Sequence, residues 1–245
     1  MGGSSDSAHV VTFATGNDFW QPKHAFDSGP DWLALTCTGH DCKLEPASLV
    51  VKPQFQTGQY DDRPTYGEHL KFTAAHVSGR TVVAWLRTDR APAWLKPRAV
   101  PTYFGPGYPL ETDPKVGTLS AKIHLPDGTA ALLVPAEITS ALLAKAGIAN
   151  TNLDSNYVLQ LRASDKRQLL GAFGMCGLGS SFPSPREYLL WTGDLDGDGK
   201  PDYLIDFSVD ADGSTELYLS GSARPGELVG LAAVYEPPPD EGECD

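Results

Sequence analysis

Short apolar runs of six to nine residues, bounded by turn residues, recur along the whole chain. They begin with HVVTFA (9–14), WLALTC (32–37), SLVVKP (48–53), HLKFTAA (69–75), GRTVVAWLR (79–87), GTLSAKIHL (117–125) and TAALLVP (129–135). NYVLQLRA (156–163), RQLLGAF (167–173), DYLIDFS (202–208), TELYLS (215–220) and LVGLAAVYE (228–236) follow. Alternation or β-branched content over such lengths predicts strands. PDG (126–128) and DADG (210–213) separate neighbours at hairpin distance. Only AEITSALLAKAGIA (136–149) has helical spacing, with Ile138, Leu142 and Leu143 on one face and Gly147 as a C-cap. The expected fold is mainly β: antiparallel sheets, sandwich-like or meandering, with one short helix near 136–147. With no alternation of strand and helix, a parallel α/β architecture is disfavoured.

That helix and the segment after it predict a division near residue 150, and charge divides there too. Residues 1–150 carry 13 Lys/Arg against 14 Asp/Glu, whereas residues 151–245 carry 6 against 17. An acidic C-terminal half repels a phosphate backbone, so nucleic acid is excluded as an expected partner and a cation or a basic protein surface is favoured. The expected organisation is a flexible tether over 1–8, a β-rich region over 9–150 and an acidic β region over 151–245. The opening MGGSSDSAHV has no basic or apolar targeting segment. It reads either as a flexible tag or as the Gly/Ser tether that follows a lipid-modified cysteine, with Met1 standing where that cysteine would be. In the second case the only membrane contact is a lipid anchor.

The four cysteines are Cys37, Cys42, Cys176 and Cys244. In CTGHDC, Cys37 and Cys42 span a turn that a hairpin can close, which leaves Cys176 to pair with Cys244. The rival is a zinc site of Cys37, His40 and Cys42, which lacks a second paired ligand set. Two disulfides imply an oxidising compartment: the periplasm, the outer membrane as a lipoprotein, or the exterior.

Between Gly193 and Phe207 the chain reads GDLDGDGKPDYLIDF. Numbered from Asp194, carboxylates fall at positions one, three, five and nine: Asp194, Asp196, Asp198 and Asp202. Gly199 makes the sharp turn and the Lys200 carbonyl follows at position seven. Each carboxylate pair at about 4 Å costs about 1 kcal/mol in water and more near a protein surface. Convergence therefore asks for a cation, and Ca²⁺ accepts six to eight mixed oxygen ligands where Mg²⁺ demands a stricter octahedron. Ile205 stands where an EF-hand carries its bidentate glutamate, and Asp202 supplies that charge instead. The alternative is a metal-free turn knit by the aspartate side chains. With the loop filled by protein ligands, the expected calcium is structural.

Residues 87–115 hold six prolines together with Trp94, Tyr103, Phe104 and Tyr108. Such a loop offers stiffened aromatics either to a protein or sugar partner or to the edge of a sheet. The chain lacks G-x-S-x-G, H-E-x-x-H and G-x-x-x-x-G-K-[ST], and GLGSS (177–181) lacks a P-loop lysine. The expectation is a binding protein and not an enzyme.

The pattern D-x-D-x-D-G-x-x-D before a strand resembles the hairpin calcium loops of FG-GAP and VCBS-type repeats in integrins and secreted bacterial proteins. The wider stretch LLWTGDLDGDGKPDYLIDFS…TELYLSGSARPGELVGLAAVYE is similar to periplasmic immunity lipoproteins that block lysozyme-like, peptidoglycan-cleaving effectors. It also resembles i-type lysozyme inhibitors, which plug the hydrolase cleft with a serine–glycine loop. The resemblance implies a calcium-stabilised inhibitor in which Ser220, Gly221 and Ser222 form the plug. Ala223 and Arg224 follow where those inhibitors carry a tyrosine. The alternative is a calcium-stabilised adhesion or glycan-binding module that uses the four aromatics.

Overall fold

At CTGHDC the chain turns through Gly39 and His40, and Gly39 takes the left-handed φ of 54° that such a tight turn requires. Cys37 and Cys42 face each other across the strands and are joined as a disulfide, with Cα atoms 4.1 Å apart. The bridge excludes the zinc alternative. The computed structural model describes residues 11–16, 18–21, 26–57, 64–74, 79–88, 92–115, 117–137, 157–173, 183–207 and 214–236. The tether, Cys176 and Cys244 lie outside these described residues.

Among them every strand pairing is antiparallel, and the strands form three sheets. The first runs β1 (Phe13–Ala14), β6 (Thr81–Arg87), β3 (Gly29–Thr38), β4 (Asp41–Thr57), β5 (Pro64–Ala74) and β2 (Asp18–Gln21), with β7 (Arg98–Val100) added beside β4. The second runs β13 (Lys166–Ala172), β12 (Tyr157–Ala163), β11 (Ala130–Glu137), β10 (Gly117–His124) and β9 (Glu111–Asp113). The third runs β17 (Gly230–Tyr235), β16 (Thr215–Leu219), β15 (Asp202–Asp206), β14 (Leu189–Gly193) and β8 (Thr102–Phe104).

The third sheet is the middle layer. Trp191, Leu204, Leu217 and Ala232 join a core with Trp32, Leu35 and Trp85 of the first sheet. From its other face, Tyr203, Ile205, Phe207 and Tyr218 join Leu133, Leu161 and Phe173 of the second. Burial on both faces explains why Tyr203, Leu204 and Ile205 are apolar in succession where a one-faced antiparallel strand would alternate. Cross-strand partners Ala136–Val158 and Glu137–Tyr157 tie β11 to β12, and Thr192–Phe104 ties β14 to β8. Strands from both sides of residue 150 thus share two of the sheets.

The helix expected near 136–147 requires correction at its start. Ala136 and Glu137 complete β11, because the ladder to β12 satisfies their backbone; the remainder lies outside the described residues. The described α-helix is α1 (Pro185–Tyr188), where the Glu187 carboxylate accepts the Ser184 amide in a capping box. No helix among the described residues is long and apolar enough to cross a membrane.

The segment 87–115 is less irregular than its prolines suggest. Its three short strands each join a different sheet: β7 the first, β8 the third and β9 the second. It therefore stitches the layers together in passing.

Candidate functional site

The aspartate loop bridges β14 and β15, closing on the cross-strand pair Gly193–Asp202. Gly193 leaves no room for a side chain, since a Cβ there would lie 2.3 Å from the Pro101 carbonyl oxygen. The next amide, Asp194 N–H, donates to that same oxygen at 2.8 Å. The loop is thus fastened to the connection between β7 and β8. Arg98 of β7 reaches over it, its Nη2 donating to the carbonyl of Leu195 at 2.5 Å and, more distantly, that of Asp194 at 3.4 Å.

Inside the loop the carboxylates are collected by amides. Asp194 accepts from Gly197 N–H (2.7 Å) and Gly199 N–H (3.1 Å). Both glycines have φ near +83°, conformations in which a Cβ would be strained. Asp202 is fully buried and accepts from Leu195 and Asp196 on one oxygen. Its other oxygen accepts from the amide and hydroxyl of Ser220, at 2.7 and 3.1 Å. Asp194, Asp196 and Asp202 come together, each offering an oxygen within 4.8 Å of the others.

Asp198 stands outside this triad. One of its oxygens accepts from Ser220 Oγ (2.8 Å) and the other lies 3.7 Å from Lys200 Nζ. Lys200 is exposed at the rim, its amide donating to Asp198. Burial pushes the Asp202 carboxyl up to about 7, and the Asp196 charge adds to the rise against the opposing pull of the amides. Asp196 is raised too, chiefly by burial. Burial, followed by the charges of Asp194, Asp202 and Asp198, raises the Tyr103 phenol. Three converging carboxylates with rising proton affinity can hold a metal ion, because a cation supplies the positive charge that burial withholds.

Ser220, Gly221 and Ser222 form a 3-10 turn seated directly on this loop. Ser220 is buried, with amide and hydroxyl both spent on aspartates, so it faces inward and not out as an accessible plug residue would. Gly221 N–H donates to Asp196 Oδ2 at 2.9 Å, and a Cβ on Gly221 would crowd that oxygen at 2.5 Å. Gly221, Arg224, Pro225 and Gly226 are exposed beyond it. Protein-family models, curated proteins and solved structures offer no match to this chain.

The four aromatics expected at a partner surface do not make one face. Phe104 and Tyr108 are buried in the second core, because β8 joins the edge of the middle sheet beside β14 and the Tyr108 ring of the turn after it lies against Phe104. The Tyr108 ring also packs on His40, centroids 3.9 Å apart. Tyr103 is half-buried. Trp94 is half-buried against the first core and borders a cleft of about 820 Å³. Asp196, Asp198, Gln168, Arg224 and Glu227 line the same cleft. Arg98 and Gln168 had no counterpart in the sequence reading, since each acts on residues some sixty to a hundred positions away.

Proposed function

We propose that the protein is a calcium-stabilised, exported binding protein that inhibits a lysozyme-like peptidoglycan hydrolase, as an immunity protein of the periplasm or outer membrane. The observation carrying this reading is the mounting of the 220–226 turn. Ser220 and Gly221 are hydrogen-bonded to Asp196, Asp198 and Asp202, so an ion in the loop would stiffen the exposed segment that follows. A loop held in its bound shape loses less entropy on association, which favours a plug over a floppy connection. The acidic C-terminal half would steer such a plug toward a basic enzyme. The Asp194, Asp196 and Asp202 oxygens, with Asp198 and the Lys200 carbonyl at the rim, are the proposed Ca²⁺ ligands. The disulfide Cys37–Cys42 suits an oxidising compartment.

The test is a lysis assay. Purified protein with calcium is added to a panel of lysozyme-like hydrolases acting on peptidoglycan, and at least one should be stoichiometrically silenced. Undiminished lysis across the panel sinks the proposal. A second reading, a glycan-binding module, is favoured by one observation: Trp94 borders an open cleft while Trp32, Trp85 and Trp191 are fully buried.

A further inference from the structure

The cleft beside the aspartate loop lies between the edge strands of two sheets, β13 of the second and β17 of the third. Its volume of about 820 Å³ falls in the range of small-ligand sites, roughly 300–1,000 Å³. One part of its lining is apolar, with Trp94, Leu231 and Pro92. Another part is polar, with Arg224, Glu227 and the aspartates. We propose that this cleft binds a neutral oligosaccharide, which stacks on Trp94 and turns hydroxyl groups toward Arg224, Glu227 and the cation loop. The inference rests on the glycan-binding reading and deepens it by naming the ligand's chemistry and its contacts.

Three features select this ligand. A sugar ring is amphipathic, with an apolar C–H face suited to an indole and a rim of hydroxyls suited to fixed polar groups. The Glu227 carboxylate already accepts the Arg224 amide, and the Arg224 guanidinium has no ion-pair partner among the described residues, leaving it to donate to hydroxyls. The charge balance favours a neutral ligand. A divalent ion with Arg98 and Lys200 beside it offsets the four aspartates, and Arg224 offsets Glu227.

An extended peptide fits less well, although sheet edges commonly accept one. The Gln168 side chain already accepts from Leu228 N–H and Val229 N–H and donates to the Val229 carbonyl. The backbone positions that a peptide would pair with at the entrance to β17 are therefore taken. The wall nearest the aspartates is closely set: a Cβ on Gly230 would lie 2.1 Å from the Ser222 carbonyl oxygen. Cation binding, acting through Gly221 and Ser220, would fix that wall and the ligand's contacts together.

The experiment titrates the full chain with chitotetraose, cellotetraose and maltotetraose, in excess calcium chloride and in EDTA, following tryptophan fluorescence and calorimetry. At least one neutral tetrasaccharide should bind saturably in calcium and about tenfold or more weakly in EDTA. Arg224→Ala, at an exposed side chain, should weaken binding about tenfold without lowering the melting temperature. Trp94→Ala should abolish it and Trp94→Phe restore it in part. Absence of saturable binding by all three overturns the inference, as does binding indifferent to Trp94→Ala. Binding unchanged in EDTA overturns the cation contact. Tighter binding of an acidic saccharide, such as a tetragalacturonate, would keep the glycan-binding reading while overturning the neutral ligand.

Discussion

Two buried carboxylates in this molecule are treated in opposite ways. Glu45, on β4, accepts from the Thr36 hydroxyl at 2.7 Å and lies 2.8 Å from Lys43 Nζ and 3.6 Å from Arg80 Nε. Desolvation works to raise its carboxyl, yet Lys43, Thr36 and Arg80 outweigh it and hold the group below its ordinary value. At Asp202 burial outweighs four hydrogen-bond contacts from amides and a hydroxyl, the acidic neighbour Asp196 adds to it, and the carboxyl rises. The first sheet carries its own counterions in the covalent chain. The middle sheet gathers negative charge at a point where the chain supplies mainly dipoles, which is the electrostatic condition for taking a cation from solution.

Breaking the internally compensated site should produce the largest effect. Arg80→Ala leaves Glu45 with Lys43 and the Thr36 hydroxyl, and removes the donor to Thr36 Oγ1, to the Thr36 and Asp41 carbonyls and to the Asp41 carboxylate. With these four hydrogen bonds lost beside the ion pair, a loss of about 3–5 kcal/mol is expected in urea unfolding. The loss should be the same with and without calcium; a calcium-dependent loss would show that the two sites are not separate.

Chelation strikes the other site. Calcium at a hundredfold excess over its Kd is worth about 2.7 kcal/mol, which corresponds to about 5–10 °C in the melting temperature of a chain this size. Coincident melting curves in calcium and EDTA would refute a structural ion. Ser220→Ala, removing the hydroxyl shared by Asp198 and Asp202, should cost about 1 kcal/mol and shrink the calcium response. A full calcium response in that variant would uncouple the turn from the loop.

The smallest effect distinguishes the sites by pH. Because the Glu45 carboxyl is lowered in the folded state, it contributes stability above its unfolded value. That contribution is lost as pH falls from about 4 through the lower folded value. The stability gap between wild type and Glu45→Gln should therefore narrow in acid; a gap that widens would mean that folding raises this carboxyl.

The strands with clear alternation were legible in the sequence because a half-buried surface imposes a period of two. The loop was legible because like charges at alternate positions have few uses. The strands of residues 98–113 are three residues each, too short to display a period, and their partners lie in three different sheets. Phe104 and Tyr108 consequently resembled exposed aromatics when they are core. The start of the expected helix had helical spacing, yet pairing of Ala136 with Val158 overrode it. Arg98 could not be read at all, since a guanidinium reaching the Leu195 carbonyl leaves no local pattern. The capping box S-P-R-E before Tyr188, by contrast, is a local signal that the sequence carries in full.

The passage of residues 98–113 through all three sheets also sets an order of events for a chain emerging from its N-terminus. β7 can dock on β4 at once, but β8 must wait for β14, some ninety residues later. Until then Phe104 and Tyr108 have no middle sheet to enter, and the first sheet has one uncovered side. Such long-range closure is slow and leaves apolar surface open to wrong partners. A chain of this topology completes its architecture only once its last hundred residues have been delivered.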